Sequence, residues 1–181
     1  MRWLVSAVVV IGCASSTPAP GPAPASPAPS NVLAQLEASA DLDGAIVGHS
    51  DQPTVVVVFA SWCPHCKAEL GELEPLRTRV RMLGVNYRGH EDYAGRGGPT
   101  AVRAFAQRTP WLRVVPIDDV LFAALGSPPQ IPTLFVFDRN GALVASYSRE
   151  LRPPPDRAEL AAVIDKLAKA QRVATPKAMR R

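Results

Sequence analysis

Cysteine is scarce in this chain, with three in 181 residues. That count excludes a disulfide-stapled miniprotein, and its odd value asks for one cysteine with a separate task. Aromatic residues are also few, at 6%. No apolar run approaches the roughly 20 residues that a membrane-spanning helix needs, which excludes a polytopic membrane protein. Charge of one sign is missing too. The net charge of +4 is dispersed, and the one basic cluster, Lys177 to Arg181, carries three charges. That is too thin for a nucleic-acid partner, which requires a basic face or stripe. What remains is ordinary: 47% hydrophobic and 20% charged residues fit one globular domain with appendages. Proline is the exception. Of 19 prolines, six (Pro18, Pro20, Pro22, Pro24, Pro27 and Pro29) fall within twelve residues, which marks a linker.

The first residues read MRWLVSAVVVIGC. Arg2 precedes an apolar run from Trp3 to Ile11, broken only by Ser6, and small residues follow. This is the shape of a signal peptide, and it is too short to span a bilayer. Val10-Ile11-Gly12-Cys13 resembles the lipobox of bacterial lipoproteins. In that family the cysteine is acylated and the preceding peptide is removed, so the resemblance implies lipidation at Cys13 and a membrane anchor. Cleavage near Ala14 by an ordinary signal peptidase, or an uncleaved apolar start, are the alternatives. Ala14 to Ser30 contains no charge and no aliphatic side chain larger than Ala. Such a segment cannot bury enough apolar area to offset the entropy of ordering. Proline-rich chain extends about 3.1 Å per residue, so it suits a spacer tens of ångströms long. The expected organisation is a signal peptide over 1–12, a lipid-attached linker over 13–30, a folded domain over 31–172 and a basic tail over 173–181.

Within the domain, Val32, Leu33, Leu36 and Ala40 recur at helical spacing and predict a helix over 31–40. Thr54 to Ala60 (TVVVVFA) reads as a strand buried on both faces. Helical patterning follows from Pro64 to about Arg81, with a kink expected at Pro75. Leu83 to Tyr87 is a second strand, and Gly89 to Gly98 a polar, glycine-rich loop. A helix over 100–108, an extended piece over 113–117 and a short helix over 118–125 come next. Thr133 to Phe137 and Ala142 to Tyr147 flank Asn140-Gly141, a strong hairpin signal. A last helix is expected from Asp156, with Glu159 in a capping box and Leu160, Val163, Ile164 and Leu167 as its buried stripe. Strands alternating with helices, then a hairpin and a helix, give an α/β domain with a central mixed sheet flanked by helices.

The chemistry-bearing stretch is Trp62-Cys63-Pro64-His65-Cys66. It stands where a strand gives way to a helix. A helix N-terminus carries roughly half a positive charge, so a thiolate at Cys63 is stabilised there. Cys66, one turn further on, is placed to attack a disulfide formed at Cys63. Pro64 suits the first turn, where its missing N–H costs nothing. A zinc site would need about four ligands, and the chain offers only this pair with His49, His65 and His90. A structural disulfide would close a loop too short to constrain the unfolded chain much.

Trp62-Cys63-x-x-Cys66 after a hydrophobic strand, with Ile131-Pro132-Thr133 before a later one, resembles the thioredoxin superfamily. The branch it most resembles is the TlpA/ResA-type thiol–disulfide oxidoreductases outside the cytoplasm. Glu69, Gly84-Val85-Asn86 and the 66-residue step from Cys66 to Pro132 carry that part of the likeness, over roughly residues 40–170. The resemblance implies a thioredoxin-like fold and a Cys63–Cys66 redox disulfide in place of any cofactor or metal. It implies a cis peptide before Pro132, beside the cysteine pair. Substrates would be protein thiols and disulfides, recharged by a membrane or periplasmic redox partner. Trp62, Ile131 and Pro132 would line the substrate groove, where an extended segment adds like a strand. At Val57 the sequence departs from cytoplasmic thioredoxins, which carry a buried Asp six residues before the first cysteine. Glu69 is then the remaining proton acceptor for Cys66, or else a solvated helix carboxylate. His65 is the middle residue of DsbA-type oxidases, where an imidazolium beside the thiolate makes the disulfide more oxidising. The alternatives are an exposed helix residue at position 65, and, for the whole protein, a peptide-binding module without turnover or a Cu(I) carrier using Cys63 and Cys66.

Overall fold

A computed structural model describes residues 32–148 and 157–174. The expected signal peptide and linker, Cys13, Asp156 and most of the basic tail lie outside the described residues. Five strands form one sheet in the order β3-β2-β1-β4-β5. They are β1 (Thr54–Phe59), β2 (Arg81–Tyr87), β3 (Arg113–Ile117), β4 (Thr133–Phe137) and β5 (Leu143–Tyr147). β1, β2 and β3 run parallel, while β4 and β5 are antiparallel to their neighbours.

β1 sits at the centre because it has no polar face to expose: all six residues are buried. Its alternating side chains feed two cores. Val55, Val57 and Phe59 pack with both cysteines, with Leu70 and Leu73 of α2 (Pro64–Leu73), Val102 and Phe105 of α4 (Pro99–Arg108), and Leu160 and Ile164 of α6 (Arg157–Ala174). Val56 and Val58 pack on the other side, with Val32, Leu33 and Leu36 of α1 (Val32–Ala38) and Leu121 of α5 (Asp119–Ala124). Fully burying each side chain of this size stabilises the fold by roughly 1.5–3 kcal/mol. Among the described residues, no helix is long and apolar enough to cross a membrane.

Several expected boundaries move, each for a local reason. α1 ends at Ala38, where the Ser39 hydroxyl donates to the Gln35 carbonyl and Ala40 leaves to form a bridge with Ile46. Pro75 ends α2 outright instead of kinking it: the helix stops at Leu73 and Glu74–Leu76 tightens into a 3-10 turn. A proline has no N–H to continue the ladder. β2 starts two residues earlier than expected. Arg81 anchors it, reaching Glu37 at 2.6 Å, the Gly48 carbonyl at 2.6 Å and the Thr54 hydroxyl at 3.1 Å. In the hairpin, the Asp138 carboxylate accepts the N–H groups of Asn140 and Ala142, each at 2.9 Å, so β5 begins only at Leu143. α6 runs to Ala174, two residues past the expected end of the domain.

The largest correction concerns residues 89–98. In place of a plain loop the chain forms a short helix, α3 (Arg88–Glu91), and a 3-10 turn at Tyr93–Gly95. The physical reason is Glu91, a carboxylate only 2% exposed, around which the segment is folded.

Candidate active site

Cys63 is the N-cap of α2. Its backbone is extended, its sulfur accepts the Cys66 N–H at 3.3 Å, and Pro64 opens the first turn. The apolar β1 delivers the chain to this point and the proline starts the helix, so two local signals fix where the sulfur lies. Cys63 is 3% exposed and Cys66 fully buried, both as free thiols. His65 is exposed on the first turn of α2, and Glu69 is half-buried one turn beyond Cys66. Val57 lies buried in the same core as the cysteines, so β1 presents an apolar side chain to that core.

The second half of the site comes from the segment before β4. The Ile131–Pro132 peptide is cis. Pro132 is buried, and the Ile131 carbonyl stands 4.0 Å from the Cys63 sulfur. The approach to it is set at the end of α5. Gly126 and Ser127 take positive φ, and their N–H groups donate to the carbonyls of Ala123 and Phe122. Two successive left-handed residues reverse the chain and send it toward Pro132. Trp62, half-buried, is gripped from the side. Its indole N–H donates to the Glu91 carbonyl at 2.9 Å and is shared with the His90 carbonyl at 3.2 Å. Its ring stacks on exposed Tyr93 with Arg96 above both.

Cys63, Cys66, Trp62, Ile131 and Pro132 therefore converge, with His65 on the rim. Residue-by-residue reading missed Glu91 and Ser61. In the fold the His90 ring packs edge-on against Tyr87 and Phe122, and its Nε2–H donates to the Pro128 carbonyl at 2.9 Å. No spacing signal announces these contacts.

The two thiols differ in kind. Burial pushes the Cys66 thiol far above its ordinary value of 9.0, and its hydrogen bond to Cys63 adds to the shift. Such a pair can open a disulfide through the sulfur at the helix start and close it through the sulfur beneath. A pH dependence follows. Folded, reduced protein retains the Cys66 proton that the unfolded chain releases above about pH 9, so the stability of the reduced form is full below that value and falls as pH rises past it. The expected loss is about 1.4 kcal/mol per pH unit. Oxidised protein has no thiol to titrate and lacks this slope. Denaturant unfolding of both forms from about pH 8 to about pH 10 measures the difference; parallel curves would contradict it.

No protein-family model matches the sequence, and no curated protein matches it at a significant level. Solved structures do match. One is a secreted Mycobacterium tuberculosis disulfide oxidoreductase homologous to Escherichia coli DsbE, at 19% identity and a TM-score of 0.55, over 71% of this chain and 93% of that one. Another is the N-terminal domain of PilB from Neisseria gonorrhoeae, at 20% identity and a TM-score of 0.58, over 77% of this chain and 97% of that one. A third is the pneumococcal exposed lipoprotein thioredoxin of Streptococcus pneumoniae, at 17% identity and a TM-score of 0.56, over 71% and 96%. With its mixed five-stranded sheet and flanking helices, the chain has the thioredoxin-like fold.

Proposed function

We propose that this protein is an extracytoplasmic thiol–disulfide oxidoreductase, tethered by lipid on Cys13, that exchanges disulfides with protein substrates through Cys63 and Cys66. The observation that carries the reading is the cysteine pair itself: a sulfur 3% exposed that caps a helix and accepts at 3.3 Å the N–H of Cys66, whose own thiol is fully buried, beside Pro132. Structural neighbours described as a secreted disulfide oxidoreductase and as an exposed lipoprotein thioredoxin support it.

In the reducing direction the Cys63 thiolate attacks a substrate disulfide. One substrate sulfur leaves as thiolate, and a mixed disulfide joins the other to Cys63. Cys66 gives up its proton and attacks the Cys63 sulfur, which frees the second substrate thiolate and leaves the Cys63–Cys66 disulfide. The oxidising direction is the reverse. Glu69, half-buried on α2, is the proposed acceptor for the Cys66 proton. Trp62, Ile131 and Pro132 form the groove, and the backbone beside Pro132 pairs with an extended substrate. The test is catalytic reduction of insulin disulfides by dithiothreitol. Wild type should turn over, and either cysteine variant should not. Binding of peptide without turnover would favour a non-catalytic module instead, and a stoichiometric bound Cu(I) a metal carrier.

His65 is the proposed tuner of direction. Its ring lies on the first turn of α2, next to Cys66 in sequence and solvent-exposed. A donor there favours the thiolate over the disulfide and raises the potential. His65→Pro removes the donor while the first turn tolerates proline. The potential should fall by tens of mV, where about 30 mV equals 1.4 kcal/mol for this couple. Equilibration with glutathione measures it, and an unchanged potential in a folded variant would make His65 an ordinary surface residue.

A further inference from the structure

Glu91 closes α3 as a buried carboxyl side chain whose polar contacts, through that carboxyl, are all donors. The Ser61 N–H reaches Oε2 at 2.8 Å and the Ser61 hydroxyl makes a short bond to Oε1. Asn86 Nδ2 donates to Oε2 at 2.9 Å, and the Gly98 N–H donates to Oε1 at 3.1 Å. The two oxygens of a carboxyl group offer about four lone-pair positions, and four donors stand on them. The backbone carbonyl of the same residue takes the Trp62 indole N–H. Gly97 folds directly onto the carboxylate: a Cβ there would lie 2.1 Å from Oε1 and 2.6 Å from the Glu91 carbonyl oxygen.

The residues so held, Ser61 and Trp62, are the two that precede Cys63. One buried side chain thus ties the cysteine turn to the end of β2 through Asn86 and to the start of α4 through Gly98. Its neighbour His90 ties the same segment to Pro128, on the approach to Pro132. We propose that Glu91 is the positioning residue of the redox pair, holding Ser61 and Trp62 so that the Cys63 sulfur stays over the start of α2. The inference rests on the proposed function for its consequence, and on the contacts above for its geometry. With its acceptor sites occupied by donors, Glu91 is assigned no proton transfer. A misplacement of about 1 Å in a reacting group costs on the order of 100-fold in rate.

The test uses the full chain. Glu91→Gln keeps the size of the side chain but turns an NH2 toward donors. The second-order rate constant for reduced protein with glutathione disulfide, per folded molecule, should fall about tenfold or more. The indole N–H resonance of Trp62 should move, while the amide resonances of β4 and β5 stay. Gly97→Ala, which leaves the carboxylate chemically intact and displaces it, should change the rate and the resonance in the same sense. Should Glu91→Gln fail to fold, Ser61→Ala removes a single contact and should produce the same two changes at smaller size. Folded variants that react at the wild-type rate with an unmoved indole resonance would overturn the proposal and leave Glu91 a fold-holding residue only. A wild-type protein no faster than free glutathione would instead sink the proposed function, and the indole shift would still decide the positioning claim.

Discussion

Cys66→Ala should accumulate mixed disulfides with substrate proteins through Cys63, and Cys63→Ala should accumulate almost none. The asymmetry follows from the site. Cys63 caps α2, and its sulfur stands 4.0 Å from the Ile131 carbonyl, beside the proposed substrate groove. Cys66 is fully buried, with burial holding its proton on, so it meets a disulfide only when one is already bonded to Cys63. Deleting it removes the resolving step and leaves the first product stranded. Each substitution deletes one buried sulfur, a loss of about 1 kcal/mol for a group of that size, so both variants should still fold in the reduced state. Non-reducing electrophoresis followed by identification of the trapped chains reads the result. Equal trapping by both variants would overturn the assignment of nucleophile.

Cys13→Ser should move the protein from the membrane fraction to the soluble fraction, or leave it unprocessed at higher mass. The effect is expected to be close to all-or-none. One saturated chain gives only marginal membrane binding, with an association constant on the order of 10⁴ M⁻¹, and stable anchoring takes a second chain. All the acyl chains would hang on this one residue, and residues 14–30 offer nothing that binds lipid. Fractionation with a mass measurement checks it, and a variant that stays on the membrane at wild-type mobility would contradict the anchor. On the proposed function the three cysteines divide into one for lipid and two for redox chemistry.

Much of the architecture was legible because it is written locally. Thr54 to Phe59 has no polar alternation, which fits a strand buried on both faces, and all six residues are buried. Pro64 marks the start of α2, and Thr133 to Phe137 came out with the bounds its composition implied. The cysteine pair at a strand-to-helix junction was readable for the same reason, since its spacing lies within four consecutive residues. The cis peptide at Pro132 came from the resemblance, because no rule of composition distinguishes that proline from Pro128 or Pro129.

The missed features are those whose cause is assembled in space. Glu91 reads as one more polar residue among glycines. Its burial depends on donors from Ser61, Asn86 and Gly98, which lie 30, 5 and 7 residues away. The same holds for Arg81, whose role in starting β2 appears only when Glu37, 44 residues earlier, folds beneath it. Pro75 was read in the right place with the wrong consequence. A proline kinks a helix when tertiary packing holds both halves, whereas here the next residues turn into Val80 and β2 and the helix ends.

The account stands most directly on whether Cys63 and Cys66 form a reversible, accessible disulfide. Equilibrating the folded protein across glutathione redox buffers and counting free thiols measures this. The predicted result is a single two-electron transition, lost in either cysteine variant, with a potential in the roughly −270 to −120 mV range spanned by thioredoxin and DsbA. A pair that stays reduced throughout, or a disulfide locked below about −300 mV in the manner of a structural bridge, would contradict it.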